Sequence, residues 1–189
     1  MPWPIGSLPA NSSLESRGSL EKMTHASPVL PAISPQWDPS LLKDELLSDL
    51  FAVSAARFAS RPALEFSGEV IAYAELERRA NRFADALRAK GIGVGCFVGL
   101  WMQRSADLHV ALLGILKSGA AYLPFDADAP VDRIADCLAD CQAKAIVVDA
   151  VNGAKPGDLP APRLDFVHTL AEGKAETAPE APKVETFIR

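Results

Sequence analysis

The side chains that could do chemistry in this chain are few and far apart. Lys117 and Asp126 flank an apolar segment and could be interpreted as an acid–base pair. Lys117 ends a predicted helix, where a positive charge compensates the helix dipole, and Asp126 follows Pro124 in a predicted turn. His109 lies on the same helix without a Ser, Cys or acidic partner at the spacing of a catalytic motif. We therefore predict structural roles for these side chains and no catalytic residue.

Two segments match nucleotide-binding loops only in part. The run from Gly91 to Gly95 follows a predicted helix, and Cys96 occupies the sixth position, where the dinucleotide fingerprint requires glycine. Lys117-Ser118 matches the end of a phosphate-binding P-loop, but Leu116 stands where that motif requires glycine. We predict structural turns at both places and no cofactor-binding residue.

The cysteines do not indicate a disulfide or a metal site. Cys137 and Cys141 fall on one predicted helix, where Cβ atoms four residues apart lie about 5–6 Å from each other. A disulfide prefers about 3.8 Å between its Cβ atoms. A metal would need two more ligands, and the histidines are scattered at His25, His109 and His168. We predict buried structural thiols and no metal-binding residue.

Composition narrows the class of protein. The chain has 189 residues, of which 49% are apolar and 23% charged, as in globular domains. The net charge of -5 argues against nucleic-acid binding, which needs a basic face. The longest apolar run, Val110 to Leu116, is far shorter than the roughly 20 residues that span a bilayer, and no secretory signal is recognised. We predict a cytoplasmic protein without membrane or nucleic-acid partners.

The chain divides into three predicted parts. Residues 1–40 are rich in Pro, Ser and Asn and are predicted to be a disordered leader, with Met23 as an alternative start to Met1. Residues 41–150 carry the regular apolar patterns of a folded domain. Residues 151–189 are predicted to be a linker-like tail in which only Leu164 to Leu170 looks capable of order.

Apolar spacing predicts alternating helices and strands. A first helix between Leu41 and Ala59 should bury the face formed by Leu42, Leu46, Leu50, Val53 and Ala56. A hairpin with a Ser67-Gly68 turn is followed by a helix from Tyr73 to Lys90, whose buried stripe is Leu76, Ala80, Phe83 and Leu87. Strands at 97–101, 122–123 and 145–148 then alternate with helices ending at Lys117 and near Cys141. This order predicts an α/β fold, a partial doubly wound, mainly parallel sheet flanked by helices.

Two motifs give the chain a family resemblance. The segment Leu116–Asp126 resembles the second signature motif of adenylate-forming (AMP-binding) enzymes, in the form typical of nonribosomal peptide synthetase adenylation domains. Residues 71–76 are similar to the first motif, although Ala72 replaces a hydroxyl residue that would complete a capping box. Residues 129–134 match the element that follows the second motif, with Asp132 in place of Glu.

The resemblance implies the N-terminal portion of the adenylate-forming enzyme fold. Intact members use ATP and Mg to activate an amino acid as its adenylate and then load a carrier protein. The family's phosphate loop, its adenine and carboxylate ligands and its catalytic Lys have no counterpart in this sequence. The resemblance therefore implies no ATP- or Mg-binding residue in this chain, inactivity of the chain alone, and the remainder of the adenylation domain as its partner. Tyr122 approaches the substrate cleft in one interpretation and packs in the core in the other.

Several alternatives remain open at this point. The chain could be a truncated or split gene product, half of an enzyme completed by another chain, or a non-catalytic interaction module. An acyl-CoA synthetase substrate is less favoured, because Tyr at position 122 is typical of amino-acid-activating members. The activated substrate is not predicted by these residues.

Overall fold

The computed structural model describes residues 45–175, so the predicted leader, both candidate start residues and the end of the predicted tail lie outside it. In chain order the elements are α1 (Leu47–Arg57), β1 (Pro62–Phe66), β2 (Glu69–Ala72), α2 (Tyr73–Ala89), β3 (Phe97–Trp101), α3 (Ala106–Ser118), β4 (Ala121–Pro124), α4 (Val131–Asp140), β5 (Ala145–Val148), α5 (Ala150–Gly153), β6 (Arg163–Asp165) and α6 (Phe166–Glu172). None of the helices in this range is long and apolar enough to cross a membrane.

The later strands form one parallel sheet. Its four strands lie in the order β4-β3-β5-β6, and each neighbouring pair is parallel. The first two strands form a separate antiparallel hairpin, and its turn residues Ser67 and Gly68 both have positive φ, at 50° and 84°. Two positive φ values match the twist of paired strands and are typical of tight hairpins. The predicted α/β fold with a parallel sheet flanked by helices is confirmed.

Side chains on the two faces of the sheet pack into two separate apolar clusters. Val98 and Leu100 of β3 pack into the larger cluster with side chains of α2 and α3. Trp101 packs into the second cluster with side chains of α4. Between them, Gly99 allows α4 to approach the sheet, since a Cβ there would lie 2.9 Å from side-chain atoms of Ile146 and Leu138. Helices therefore cover both faces of the sheet, as in doubly wound folds.

Helices α2 and α3 pack closely against each other within the larger cluster. The predicted α2 stripe is confirmed, because Leu76, Ala80, Phe83 and Leu87 are all buried. A Cβ at Gly114 of α3 would lie only 2.7 Å from Cδ1 of Phe83, so the two helices approach closely at this point. The hydrophobic core is thus continuous from α2 through α3 to the sheet.

The predicted buried face of α1 is wrong. Leu50 and Val53, which were predicted to be buried, are exposed, and so is Ala56. The helix instead buries Ser48 and Ala55. Phe51 stacks near Tyr73 of α2, with 5.9 Å between ring centroids, and this contact sets which side of α1 faces inward.

Smaller differences concern burial and boundaries. Cys137 and Cys141 are free thiols, but they are half-buried rather than buried. Proline is favoured at the first helical position, but Pro130 is the residue before α4, which begins at Val131. Phe97 is exposed, while the other residues of β3 are buried. In the predicted tail, the segment expected to be ordered forms β6 and α6, and the short α5 was not foreseen.

Candidate functional site

The motif segment 116–126 forms a helix end, a left-handed turn and a strand. Helix α3 is capped by the preceding Ser105, whose side-chain oxygen accepts the backbone N–H of Leu108 at 3.1 Å. It ends at Gly119, which has φ 92° and donates its N–H to the carbonyl of Leu116 at 3.0 Å. Glycine adopts this conformation without the steric cost of a side chain. The turn directs Ala121 into β4, where its N–H donates to the carbonyl of Cys96.

Lys117 is fixed by an ion pair rather than left exposed. Its Nζ lies 2.7 Å from Oε1 of Glu77 on α2, and its side chain is 4% exposed. The second carboxylate oxygen of Glu77 is buried without a hydrogen-bond partner among the described residues. The predicted position in the last turn of α3 is confirmed, but the partner was missed. One feature of the sequence could have indicated such a partner. Lys117 lies on an almost entirely apolar helix, and a buried cation requires a counter-charge.

The side chain of Arg88 on α2 binds backbone carbonyls at the same end of α3. Its guanidinium donates to the carbonyl of Lys117 at 2.9 Å and to that of Ser118 at 3.3 Å. These carbonyls are among those that a helix C-terminus leaves without an intrahelical donor. Glu77 and Arg88 together fix the position from which β4 departs.

Charged side chains near the starts of α2 and α3 interact with one another. Burial alone would raise the pKa of Glu75, but hydrogen bonds from Arg79 and Arg78 together hold that pKa below its usual value. Burial raises the pKa of Asp107, and the positive charge of Arg79 opposes this rise. Glu75 and Arg79, four residues apart on α2, form an ion pair with 2.7 Å between Nε of Arg79 and Oε1 of Glu75.

The strand order identifies a second location of interest. The connection that leaves β3 runs to β4 on one side, and the connection that leaves β5 runs to β6 on the other side. These two connections therefore diverge between the carboxyl ends of β3 and β5. Ligands of open α/β sheets bind in such crevices. Here the carboxylate of Asp149 closes the gap, because it accepts the N–H groups of Gln103 and Asn152. The side chain of Asn152 donates to the carbonyl of Trp101 at 3.2 Å.

The loop after β4 is tied to this crevice. Lys155 donates to the carbonyl of Ala127, and its Nζ lies 4.8 Å from the centroid of the Trp101 ring. A cleft of about 420 Å³ opens at the end of β4, and its polar rim includes Asp126, Asp128 and Arg133. Asp126 is exposed here, whereas the Lys117 side chain is buried against Glu77. The structure thus gives Lys117 a different carboxylate partner from the one considered in the acid–base interpretation.

The remaining sequence candidates have structural surroundings. His109 is exposed, and its Nδ1 lies 3.0 Å from the carbonyl of Ser105. Tyr122 is half-buried on β4 and packs against the larger apolar cluster. The glycine run lies between α2 and β3, where Gly91 and Gly95 have positive φ. It borders a separate open cleft of about 460 Å³ with Arg88 and Ser118.

The helix starts that follow β3 and β5 do not offer a free phosphate site. Phosphates bind at helix N-termini through free backbone N–H groups. At α3 the cap is filled by Ser105 with Asp107 in the first turn, and at α5 it is filled by Asp149. Carboxylates at these places repel a phosphate. Residues 45–175 also contain no group of three or more His, Cys, Asp or Glu side chains that could hold a metal ion.

Comparison with known proteins identifies the class to which this fold and motif segment belong. The family model described as AMP-binding enzyme matches residues 51–187. The chain belongs to the AMP-binding enzyme family. The predicted recognition is confirmed, and the proteins it resembles are nonribosomal peptide synthetases.

Individual relatives make the likeness more specific. The chain is 41% identical over 112 residues to delta-poly-L-ornithine synthetase of Acinetobacter baumannii, a match that covers 59% of this chain. It is 36% identical over 132 residues to the dimodular nonribosomal peptide synthase of Bacillus subtilis, a match that covers 68% of this chain. The chain spans 8% and 6% of the length of these two proteins.

Solved structures show the same relationship. The nonribosomal peptide synthetase FmoA3 matches with a TM-score of 0.67 and 30% identity, over 75% of this chain and 16% of that one. An artificially fused adenylation-PCP di-domain, NpsA-ThdA from Klebsiella oxytoca, matches with a TM-score of 0.69 over 77% of this chain and 27% of that one. At 23% identity the second likeness concerns the fold alone.

Proposed function

We propose that this chain forms the N-terminal part of an adenylation unit for nonribosomal peptide synthesis. With the remainder of such a unit it would couple ATP and an amino-acid carboxylate into an aminoacyl adenylate and release pyrophosphate. The acyl group would then pass to the thiol of a carrier protein. The single observation that carries the proposal is the 116–126 segment, which is built as helix, left-handed turn and strand in a member of the AMP-binding enzyme family.

The role we assign to the described residues is that of a scaffold. Glu77 and Arg88 on α2 fix the end of α3, and the turn at Gly119 then sets where β4 and its following loop lie. Catalysis by positioning depends on such rigid support, because small displacements of reacting groups reduce the rate. ATP and Mg would be held by residues supplied from the rest of the unit, since the sequence offers no Ser/Thr/Gly-rich loop with a Lys.

We further propose that the 189-residue chain is inactive alone and that its natural compartment is the cytoplasm. Inactivity follows from chemistry: adenylation requires charge stabilisation at the phosphates, and the sequence offers no Ser/Thr/Gly-rich loop with a Lys. A non-catalytic interaction role is the alternative that the experiment below separates from this proposal. Completion by a separately encoded chain is a second alternative, and an active hybrid is compatible with it.

A segment exchange tests the scaffold role. Residues 51–175 would replace the matching segment of one module of the dimodular synthase of Bacillus subtilis, the region of likeness already established. We expect the hybrid to retain amino-acid-dependent ATP–pyrophosphate exchange within about tenfold of the parent, a loss of about 1.4 kcal/mol or less in transition-state stabilisation. The parent module and a hybrid carrying Glu77→Ala serve as controls. A hybrid that unfolds cooperatively but shows no exchange would contradict the proposal and favour an interaction module.

A further inference from the structure

The residues that leave α6 are bound to α2 by polar contacts from distant parts of the sequence. We call residues 172–175 the exit strap. The carboxylate of Glu172 lies 2.6 Å from Nζ of Lys90. Asp85 accepts the backbone N–H groups of Lys174 at 2.9 Å and Ala175 at 3.2 Å. Two consecutive amides on one carboxylate form a charge-assisted contact, stronger than hydrogen bonds between neutral groups.

Gly173 brings the strap directly against the backbone of α2. It is buried, and its carbonyl accepts a hydrogen bond from Nε of Arg82 at 3.2 Å. A Cβ at this position would overlap the carbonyl oxygen of Arg82. The φ of Gly173 is -71°, so glycine is required here by the close approach and not by backbone conformation. Any side chain at this position would lift the strap away from α2.

The strap follows β6 and α6, and β6 is the shorter of the two edge strands of the four-stranded sheet. Strand β6 has three residues and pairs only with β5 among the described strands. Helix α6 packs on α2 through Phe166, whose ring centroid lies 5.1 Å from that of Phe83. Such a short edge strand contributes few ladder hydrogen bonds, so its position depends on what holds α6 in place.

We propose that the exit strap is a latch whose closure on Asp85 holds the β6–α6 unit on the sheet. When the latch opens, β6 and α6 separate together from β5 and α2, while the rest of the sheet stays folded. Local opening of one supersecondary unit at low free energy is a general property of folded chains. The inference concerns contacts within residues 82–175 and does not depend on the proposed function.

Hydrogen exchange of the full 189-residue chain, resolved to single amides, tests the latch. Asp85→Ala should raise the exchange rates of the Lys174 and Ala175 amides by about tenfold or more, since the lost contact is a charged one. It should also raise the rates in β6 and α6 and at the Ile146 amide of β5, which donates to the carbonyl of Pro162, and leave β3 unchanged. The matched control is Asp136→Ala, which removes an exposed helical carboxylate without a polar partner among residues 45–175.

A second variant keeps the test decisive if Asp85→Ala loosens the whole domain. Gly173→Ala changes no side chain of the core, but it displaces the strap from Arg82. We expect the same pattern, with faster exchange in β6, α6 and the strap and unchanged exchange in β3. Faster exchange confined to Lys174 and Ala175 in both variants would overturn the latch, because the strap would then be a local contact only. Unchanged strap amides in Gly173→Ala would overturn it as well.

Discussion

Helices α1 and α3 are both rich in apolar residues, yet they differ in how much of their apolar surface is buried. Helix α3 is enclosed by α2 on one side and the sheet on the other, so apolar residues on several of its faces are buried or half-buried. Helix α1 packs one side against its neighbours and exposes 67% of Leu47 and 67% of Val53 on the other. The difference shows that an apolar stripe establishes the helix, whereas its neighbours decide which side is buried.

The same contrast holds for polar side chains. The one ammonium of α3 is buried against Glu77, and the backbone end of that helix is held by Arg88. In α1 the side-chain hydroxyl of Ser54 donates to the carbonyl of Leu50 within the same helix, at 2.9 Å. We therefore expect stability to depend strongly on single residues at the α2–α3 contact and weakly on the outer side of α1.

The largest effect should come from Glu77→Ala. The change leaves the Lys117 ammonium buried without its counter-charge, and we expect a loss of about 3 kcal/mol in the free energy of unfolding. Urea unfolding followed by circular dichroism measures it. Asp136→Ala is the matched exposed control, and the double variant Glu77→Leu with Lys117→Met should recover most of the loss. A loss below that of the control would show that the ion pair does not stabilise the α2–α3 contact.

Gly114→Ala tests the close approach of the two helices. The new methyl group would lie 2.7 Å from Cδ1 of Phe83, a side chain with no exposed surface into which it could move. Overpacking of this kind costs about 1–3 kcal/mol, and the better helix propensity of alanine returns up to about 1 kcal/mol. We expect a net loss of about 1 kcal/mol in the same unfolding measurement. A stabilised variant would show that α2 and α3 are less closely packed than described.

Ala72→Ser should act in the opposite direction. Helix α2 begins at Ala72 without a side-chain cap, whereas α3 begins with the serine cap of Ser105. Adding the hydroxyl should raise the free energy of unfolding by about 1 kcal/mol. Ser105→Ala, which removes the existing cap, should lower it by a similar amount. If both changes are silent, the helix starts do not limit stability.

The smallest effect should be on α1. Val53→Ser and Leu47→Ser each change a side chain that is mostly exposed, so the free energy of unfolding should change by less than about 0.5 kcal/mol. Differential scanning calorimetry of each variant beside the wild type would measure the shift. A loss above about 1 kcal/mol in either variant would mean that this face is covered in solution.

The parts of the fold that could be predicted are those with local causes. The stripe of α2, the serine cap of α3, the apolar strands and the Ser67-Gly68 turn each depend on residues that are neighbours in sequence. The orientation of α1 could not be predicted, because it depends on Phe51 meeting Tyr73 from another helix.

The candidate site divides in the same way. The position of Lys117 at the end of α3 follows from the helix pattern, but its partner lies 40 residues earlier and carries no local signature. The closure of the β3–β5 crevice by Asp149 depends on strand order, which a single sequence does not specify. Absence of catalytic, cofactor-binding and metal-binding residues stays a prediction.

The measurement that tests the scaffold role most directly is amino-acid-dependent ATP–pyrophosphate exchange by the purified 189-residue chain, with nucleotide binding followed in parallel. The helix starts at Ser105 and Asp149 are already occupied by their own side chains, and Asp107 adds a negative charge to the first of them. We therefore expect neither exchange nor nucleotide binding above a mock-purified control. Exchange above that control would contradict the scaffold role and would place a working nucleotide site among residues to which we have assigned structural roles.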